Sequence, residues 1–228
     1  VTTIAIVPAR AGSKGFPNKN IAQINGVSLL EWAIRLARRS SVVSDTYIST
    51  DSADYERLGI AAGAKSAGLR PAELASDTAR TVDVVLHLLD QLEQRYHFVV
   101  LLQPTSPIRN AADIENMIRR VEELDADAAA SVSRLEEPHP HKVKRIGDDG
   151  FMTSFIEGTQ SEAPRQSLPP AYVLNGAIYV VRTAALTREK TFLPRKTLPY
   201  VMARGVNVDT PDDFVVLREV YSKEGLFN

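Results

Sequence analysis

Arg10, Lys14 and Lys19 crowd into the stretch PARAGSKGFPNKN, residues 8–20, of a chain whose formal net charge is only −1. The stretch follows the apolar run TTIAIV directly. Gly12 and Gly15 give the loop backbone freedom, so that successive amides can converge into an anion nest while the three cations add charge at the same place. No G-x-x-x-x-G-K-[ST] and no G-x-G-x-x-G occurs, so this is neither a Walker loop nor a dinucleotide fingerprint. A solvated basic turn is the plain alternative. Position after a first strand favours polyphosphate binding.

Three further stretches carry residues with chemistry. In LLQPTSPIR, residues 101–109, an apolar strand runs straight into Gln103, whose amide offers both donor and acceptor atoms to a base, a sugar or a substrate. A proline-rich connector ending in a helix cap explains the same residues equally well. In GLRPAELASD, residues 68–77, Arg70 stands where it can contact phosphate or nucleotide, or pair with Glu73 or Asp77; from these residues alone the pairing is expected. In VNVDTPDD, residues 206–213, Asp209 lies at a strand end before a helix cap, a place for a hard-metal ligand. Mg²⁺ needs only one or two carboxylates beside phosphate oxygens and water. Asp212 and Asp213 read as helix-start residues.

Other candidates carry less. His139 and His141 flank Pro140 without helical spacing or a third ligand, and are expected at the surface rather than on a metal. His87 falls on a polar helix face, His97 precedes a strand, and Trp32 reads as packing. No serine sits in a G-x-S-x-G elbow. Cysteine is absent, which removes disulfides, thiolate catalysis and Cys-ligated metals, and fits a reducing cytoplasm.

The elements that must position these residues alternate between two periods. Apolar or β-branched runs at Thr3–Val7, Thr46–Thr50, Phe98–Leu102 and Gly176–Val181 predict strands. Between them, Ser28 and Glu31 form a capping box, and Val82, Val85, Leu86 and Leu89 make an apolar helix stripe. Ile114, Met117, Ile118 and Val121 repeat that stripe, with Asn110 as cap. Thr210 and Pro211 open a last helix as N-cap and N1. The predicted fold is α/β, Rossmann-like, with a mostly parallel sheet covered by helices on both faces. In such sheets ligands lie beyond the carboxyl ends of the strands, where the candidate residues fall.

The rhythm breaks after about Arg134. Residues 135–174 hold five prolines and a predicted hairpin, Lys142–Ile146 with Phe151–Phe155, turning at Asp148-Asp149-Gly150. The expected division is an α/β domain from residues 1–134 and 175–228 with an insertion at 135–174. The 228 residues suffice for a well-buried core, and 44% apolar with 24% charged residues is ordinary for a soluble protein. Near-zero net charge argues against a nucleic-acid or membrane-surface binder. No run approaches a membrane span, and no signal peptide is expected.

Together, IAIVPARAGSKGFPNKN, LRPAELASD, LLQPTSPIR, NGAIYV and NVDTPDDF resemble, in order, segments of the N-acylneuraminate cytidylyltransferases, from about residue 4 to 220. The resemblance implies a reaction in which the anomeric hydroxyl of a nine-carbon 2-keto sugar acid attacks the α-phosphorus of CTP, giving the CMP-sugar and pyrophosphate. It implies Arg10, Ser13, Lys14, Lys19 and Asn20 as CTP-binding residues, joined by Arg70 and Thr81. It implies Gln103 as a sugar-acid ligand, Lys19, Gln103 and Asp209 as the catalytic set, and Mg²⁺ held by Asp209 with Asn207. The insertion becomes a dimerisation arm lending Lys142 and Arg165 to a partner's site, while Tyr179 and Phe192 line the acyl-sugar pocket. A cytoplasmic homodimer with shared sites is the implied assembly.

The sequence departs from the family's pattern at two places. Asn207 replaces the first aspartate of a common D-x-D metal segment, and Val173-Leu174 stand where sialic acid enzymes commonly carry arginine and proline. The second change leaves legionaminic, pseudaminic and eight-carbon ulosonic acids as alternative substrates. The first leaves a non-catalytic nucleotide-sensing protein of the same fold as the rival of a different class.

Overall fold

Thr3–Pro8 forms the first strand, β1, and its first five residues are all buried. In the computed structural model, residues 1–158, 161–203 and 205–224 are described; the end of the expected 175–228 segment and residues 159–160 of the insertion lie outside them. After β1 come a short hairpin, β2 (Gln23–Ile24) and β3 (Val27–Ser28), then α1 (Leu29–Arg39), β4 (Asp45–Ser49) and α2 (Ala53–Ala61). The chain continues through β5 (Lys65–Ser66), α3 (Thr81–Asp90), β6 (Phe98–Leu101), α4 (Ala111–Glu123) and β7 (Ala128–Leu135). A second hairpin, β8 (Lys144–Ile146) with β9 (Met152–Ser154), leads to β10 (Ala171–Arg182), α5 (Thr183–Glu189), β11 (Thr197–Met202) and α6 (Pro211–Glu224).

Seven strands make the central sheet, in the order β11-β7-β10-β6-β1-β4-β5. All neighbours are parallel except β10, which runs antiparallel to both β6 and β7. The sheet is therefore mostly parallel, as predicted. The reversed strand has a consequence for the site: the first half of β10 is delivered to the edge where β1 and β6 end.

Period-two alternation splits the core. Ala5 and Val7 of β1, with Phe98 and Val100 of β6, pack against Leu30, Ile34, Ile114, Met117 and Ile118 from α1 and α4. Ile4, Ile6, Val99 and Leu101 face the other way, onto Val82, Val85 and Leu88 of α3 and Leu186 of α5. A fully buried Ile or Leu contributes roughly 1.5–3 kcal/mol, so these two layers dominate the rigidity of the strand ends. The predicted capping box of Ser28 with Glu31 forms on α1, and Asn110 caps α4 as expected, with Asp113 completing a second box there. Among the described residues, no helix is long and apolar enough to cross a membrane.

β10 begins at Ala171, inside the segment expected to be an insertion, because residues 171–174 pair with Val132–Leu135 of β7. The hairpin forms as predicted in place, only shorter. The surface expectation for His139 is overturned. It is 6% exposed, its Nε2 lies 3.0 Å from the Pro169 carbonyl, and its Nδ1 accepts from the His141 amide. With both ring nitrogens engaged it ties the two ends of the insertion together, and no cluster of three or more His, Cys, Asp or Glu side chains able to hold a metal occurs among the described residues.

Candidate active site

The loop after β1 is fixed from four sides. The Ala11 amide donates to Asp51 Oδ1 at 2.9 Å, from the loop after β4. Asn20 is 5% exposed and its Nδ2 donates to the Arg10 carbonyl at 3.0 Å, so it braces the loop from within. Tyr55 of α2 donates to Asn18 Oδ1 at 3.1 Å. Phe16 meets Phe214 of α6 edge-on, ring centres 5.7 Å apart, in a small cluster with Val208 and Leu217.

Neither Gly12 nor Gly15 adopts the left-handed conformation expected of an anion nest. The Ser13 amide instead donates back to the Ala11 carbonyl. Gly15 is needed for another reason: a Cβ there would come within 3.1 Å of the Asp209 carbonyl. That close approach brings the loop carrying Lys19 against the segment carrying Asp209.

A second loop comes from β6. The Trp32 indole of α1 donates to the Pro107 carbonyl at 3.1 Å, and the Thr105 carbonyl accepts from the Val208 amide at 2.8 Å. Asp209 is thereby held beside the Gln103 loop, and its Oδ1 lies 2.7 Å from Lys19 Nζ. Asp213 behaves as a helix-start residue, its Oδ2 accepting from the amides of Asp209 and Thr210.

These loops enclose a cleft of about 430 Å³ lined by Arg10, Ser13, Lys14, Lys19, Asn20, Arg70, Asp77, Thr81, Gln103 and Asp209, among others. The positive end of α3 opens onto it at Thr81, and the α3 cap position, Arg80, makes no side-chain cap bond. An anion in the cleft therefore meets a helix N-terminus as well as the side-chain cations.

The expected pairing of Arg70 with Glu73 or Asp77 does not occur. Its guanidinium donates to the Ser49 and Leu74 carbonyls, and its Nε is buried without a hydrogen-bond partner. The reason is local. The Arg70 amide donates to the Thr50 carbonyl, which draws the side chain under the β4 end. Asp77 goes instead to Arg10 and Lys14, each at 2.6 Å.

A second cleft, about 530 Å³, is lined by Arg80, Thr81, Gln103, Tyr179, Lys190 and Phe192, with other residues. The Tyr179 and Phe192 rings stand 5.9 Å apart. Burial pushes the Tyr179 phenol above its ordinary value, so it stays protonated. Thr81 and Gln103 line both clefts. One space is thus cationic and the other aromatic, and they meet at an amide.

A family model described as a cytidylyltransferase matches residues 4–196. The chain belongs to the cytidylyltransferase family. An N-acylneuraminate cytidylyltransferase of Streptococcus agalactiae serotype V is 35% identical over 216 residues, 93% of this chain and 51% of the relative. The chain thus spans about half the length of that relative. A CMP-N,N'-diacetyllegionaminic acid synthase of Legionella pneumophila is 30% identical over 223 residues, 95% of each chain. A solved CMP:2-keto-3-deoxy-manno-octonic acid synthetase, in complex with CTP, superposes with TM-score 0.73 at 18% identity over 98% of this chain and 100% of its own. That likeness supports the nucleotidyltransferase fold assignment.

Eleven of the expected side chains converge on one connected site: Arg10, Ser13, Lys14, Lys19, Asn20, Arg70, Thr81, Gln103 and Asp209 line the first cleft, and Tyr179 and Phe192 join Thr81 and Gln103 around the second. Lys142 and Arg165 are not part of it. Lys142 is exposed, and Arg165 pairs with Glu137 at 3.2 Å and Glu136 at 3.8 Å on the insertion. Asn207 does not line the cleft with Asp209; its Oδ1 accepts from the Ser106 hydroxyl at 2.5 Å.

Sequence reasoning missed what stands behind Gln103. Gly176 has φ of 72°, and a Cβ there would lie 2.8 Å from Ser106 Oγ and 2.9 Å from Gln103 Oε1. It sits where the β10–β7 register shifts, on a bulge held by Asn175, whose side chain bonds Ser131, Ser133 and the Ala177 amide. Arg109, buried with no carboxylate partner and with its guanidinium pushed well below its ordinary value, donates to the Ala177 carbonyl. A glycine in a strand interior is the signal that was available. Gly176→Ala should lower stability by about 1–2 kcal/mol from left-handed strain, more if Gln103 must move. Chemical denaturation checks it, and an unchanged midpoint would contradict the close approach.

Proposed function

We propose that this chain transfers CMP from CTP to a nine-carbon 2-keto sugar acid, N-acetylneuraminate first, releasing pyrophosphate. One observation carries the reading: a cationic cleft and an aromatic cleft share Gln103 and Thr81. A triphosphate in the first and an acylamino sugar in the second would bring the anomeric oxygen and the α-phosphorus together at that junction. The relatives named for N-acylneuraminate and for N,N'-diacetyllegionaminic acid support the substrate class.

The chemistry needs no enzyme-bound intermediate. Positioning and charge stabilisation suffice, as in phosphoryl transfer generally. Arg10, Lys14, Lys19 and the start of α3 oppose the charge that grows on the departing pyrophosphate. Arg70 adds a fourth cation to the cleft lining, its guanidinium held by the Ser49 and Leu74 carbonyls. Gln103 orients the sugar acid, and Tyr179 and Phe192 pack its acyl group.

The donor set fits one hard cation. The Asp209 side chain is 73% exposed and faces the cleft, while Asn207 Oδ1 is already taken by Ser106. Asp209, with substrate phosphates, would hold Mg²⁺, which when bound shields the triphosphate. Asn207 serves better as a brace for the Gln103 loop. A reaction consuming CTP belongs in the cytoplasm, where nucleoside triphosphates are supplied.

A homodimer completes the site. The insertion and adjoining β10 leave Ile146, Phe151, Met152, Phe155, Tyr172 and Val173 exposed, an apolar surface suited to a second copy. Lys142 and Arg165 would then face the partner's sugar carboxylate, which an arginine fork clasps by both oxygens. Mixed dimers of Arg165→Ala with Arg10→Ala subunits should recover activity, since one of the two shared sites is intact. Failure to recover any would remove the shared-site model.

Pyrophosphate release from CTP with a panel of sugars tests the substrate assignment. The expected result is turnover with N-acetylneuraminate. Turnover only with legionaminic, pseudaminic or eight-carbon acids would move it to those sugars. CTP binding without turnover on any would point to a nucleotide sensor.

A further inference from the structure

Asp77 holds two of the three loop cations of the first cleft at once. Its Oδ1 lies 2.6 Å from Arg10 Nη1 and its Oδ2 2.6 Å from Lys14 Nζ. Lys19, the third, is held by Asp209. Lys14 is 84% exposed, so packing does not bring its ammonium down onto the cleft; the carboxylate does. Asp77 itself lines the cleft and is 41% exposed, so it too is free of a packing role. Hydrogen bonds from Lys14 first and Arg10 next hold its carboxyl below the ordinary range, which keeps it ionised at neutral pH. Arg70 lines the same cleft, and its buried Nε has no hydrogen-bond partner among the described residues. The three loop cations of the cleft are therefore each paired with a carboxylate.

We propose that Asp77 is an anionic stand-in which the triphosphate displaces, and which reclaims Arg10 and Lys14 as pyrophosphate leaves. The proposal rests on the cleft being a triphosphate site. Two carboxylate oxygens on two cations occupy the positions that phosphate oxygens would take. Each contact a triphosphate makes with these side chains is then an exchange, not a net gain. Asp77 accordingly weakens nucleotide binding and shortens the residence of pyrophosphate. A gain of affinity on removing it is what a merely structural residue would not give.

The test is calorimetry of Mg²⁺ with CTP, and of Mg²⁺ with inorganic pyrophosphate, on the full chain as wild type, Asp77→Asn and Asp77→Ala. Both variants should bind both ligands roughly three- to tenfold tighter, a modest gain because the pairs are exposed. The gain should shrink as salt is raised from about 0.05 to 0.5 M. Stopped-flow pyrophosphate release should slow in parallel. Unchanged or weaker binding in both variants would overturn the proposal. If the wild type binds neither ligand, the triphosphate reading falls with it. If the wild type binds and the variants do not tighten, the stand-in alone falls.

Discussion

Lys19→Ala should lower kcat/KM for CTP by about 10²–10³-fold, the scale seen when one preorganised donor to a developing anion is removed. Lys19 is the least exposed of the three loop cations that make ion pairs in the cleft, at 19% against 31% for Arg10 and 84% for Lys14. Water screens it least, so its charge acts at the lowest local dielectric of the three. It sits where the loop, pinned through Asn20 and Phe16, cannot drift from α6. Its place is therefore set before any ligand arrives. The loss should fall more on kcat than on KM, because charge grows on the leaving group only in the transition state. Steady-state kinetics with saturating sugar reads both. Near-normal kcat would reassign the leaving-group contact to Arg10 or Arg70.

Asp209→Ala should reduce turnover by at least about 10³-fold, because one side chain serves two duties. Its carboxylate lies 2.7 Å from Lys19 Nζ, and unlike Asp77, which pairs with Arg10 and Lys14, it stands on the segment bonded to the Gln103 loop. Removing it frees the ammonium and takes away the carboxylate proposed to hold a hard cation. Asp209→Asn separates the duties: the amide oxygen still accepts from Lys19 but is a poorer metal donor. That variant should need far more Mg²⁺ for half-maximal activity. Mn²⁺ binding in the presence of CTP, followed by electron paramagnetic resonance, gives a readout apart from turnover. Unchanged metal affinity in both variants would move the metal contact away from Asp209.

Much of this site was legible because strand ends announce themselves. A run such as TTIAIV followed by glycines and cations fixes where a loop must lie, and the same logic found Gln103 and Asp209. What stayed hidden depended on reversed or irregular backbone. β7, reading AAASVSRL, is strand by burial between β10 and β11 rather than by β-branched content. The direction of β10 cannot be read from its apolar pattern, so Gly176 signals a close approach without naming Gln103 as the neighbour. Arg70 was misjudged because a carboxylate three or seven residues away looks like a partner, whereas the fold offers it the Ser49 and Leu74 carbonyls. The family resemblance reached Lys142 and Arg165, but within one chain they stand apart from the clefts, since their proposed partner is a second subunit.

The proposed reaction joins a cytidine nucleotide to a sugar acid at Gln103, where the cationic and aromatic clefts meet. Phosphorus NMR of CTP incubated with the protein, Mg²⁺ and N-acetylneuraminate tests it most directly. The three CTP resonances should give way to one phosphodiester signal and one pyrophosphate signal, in equal molar amounts and only when the sugar acid is present. CTP left intact with every sugar acid of the panel, or pyrophosphate appearing without any sugar, would contradict it.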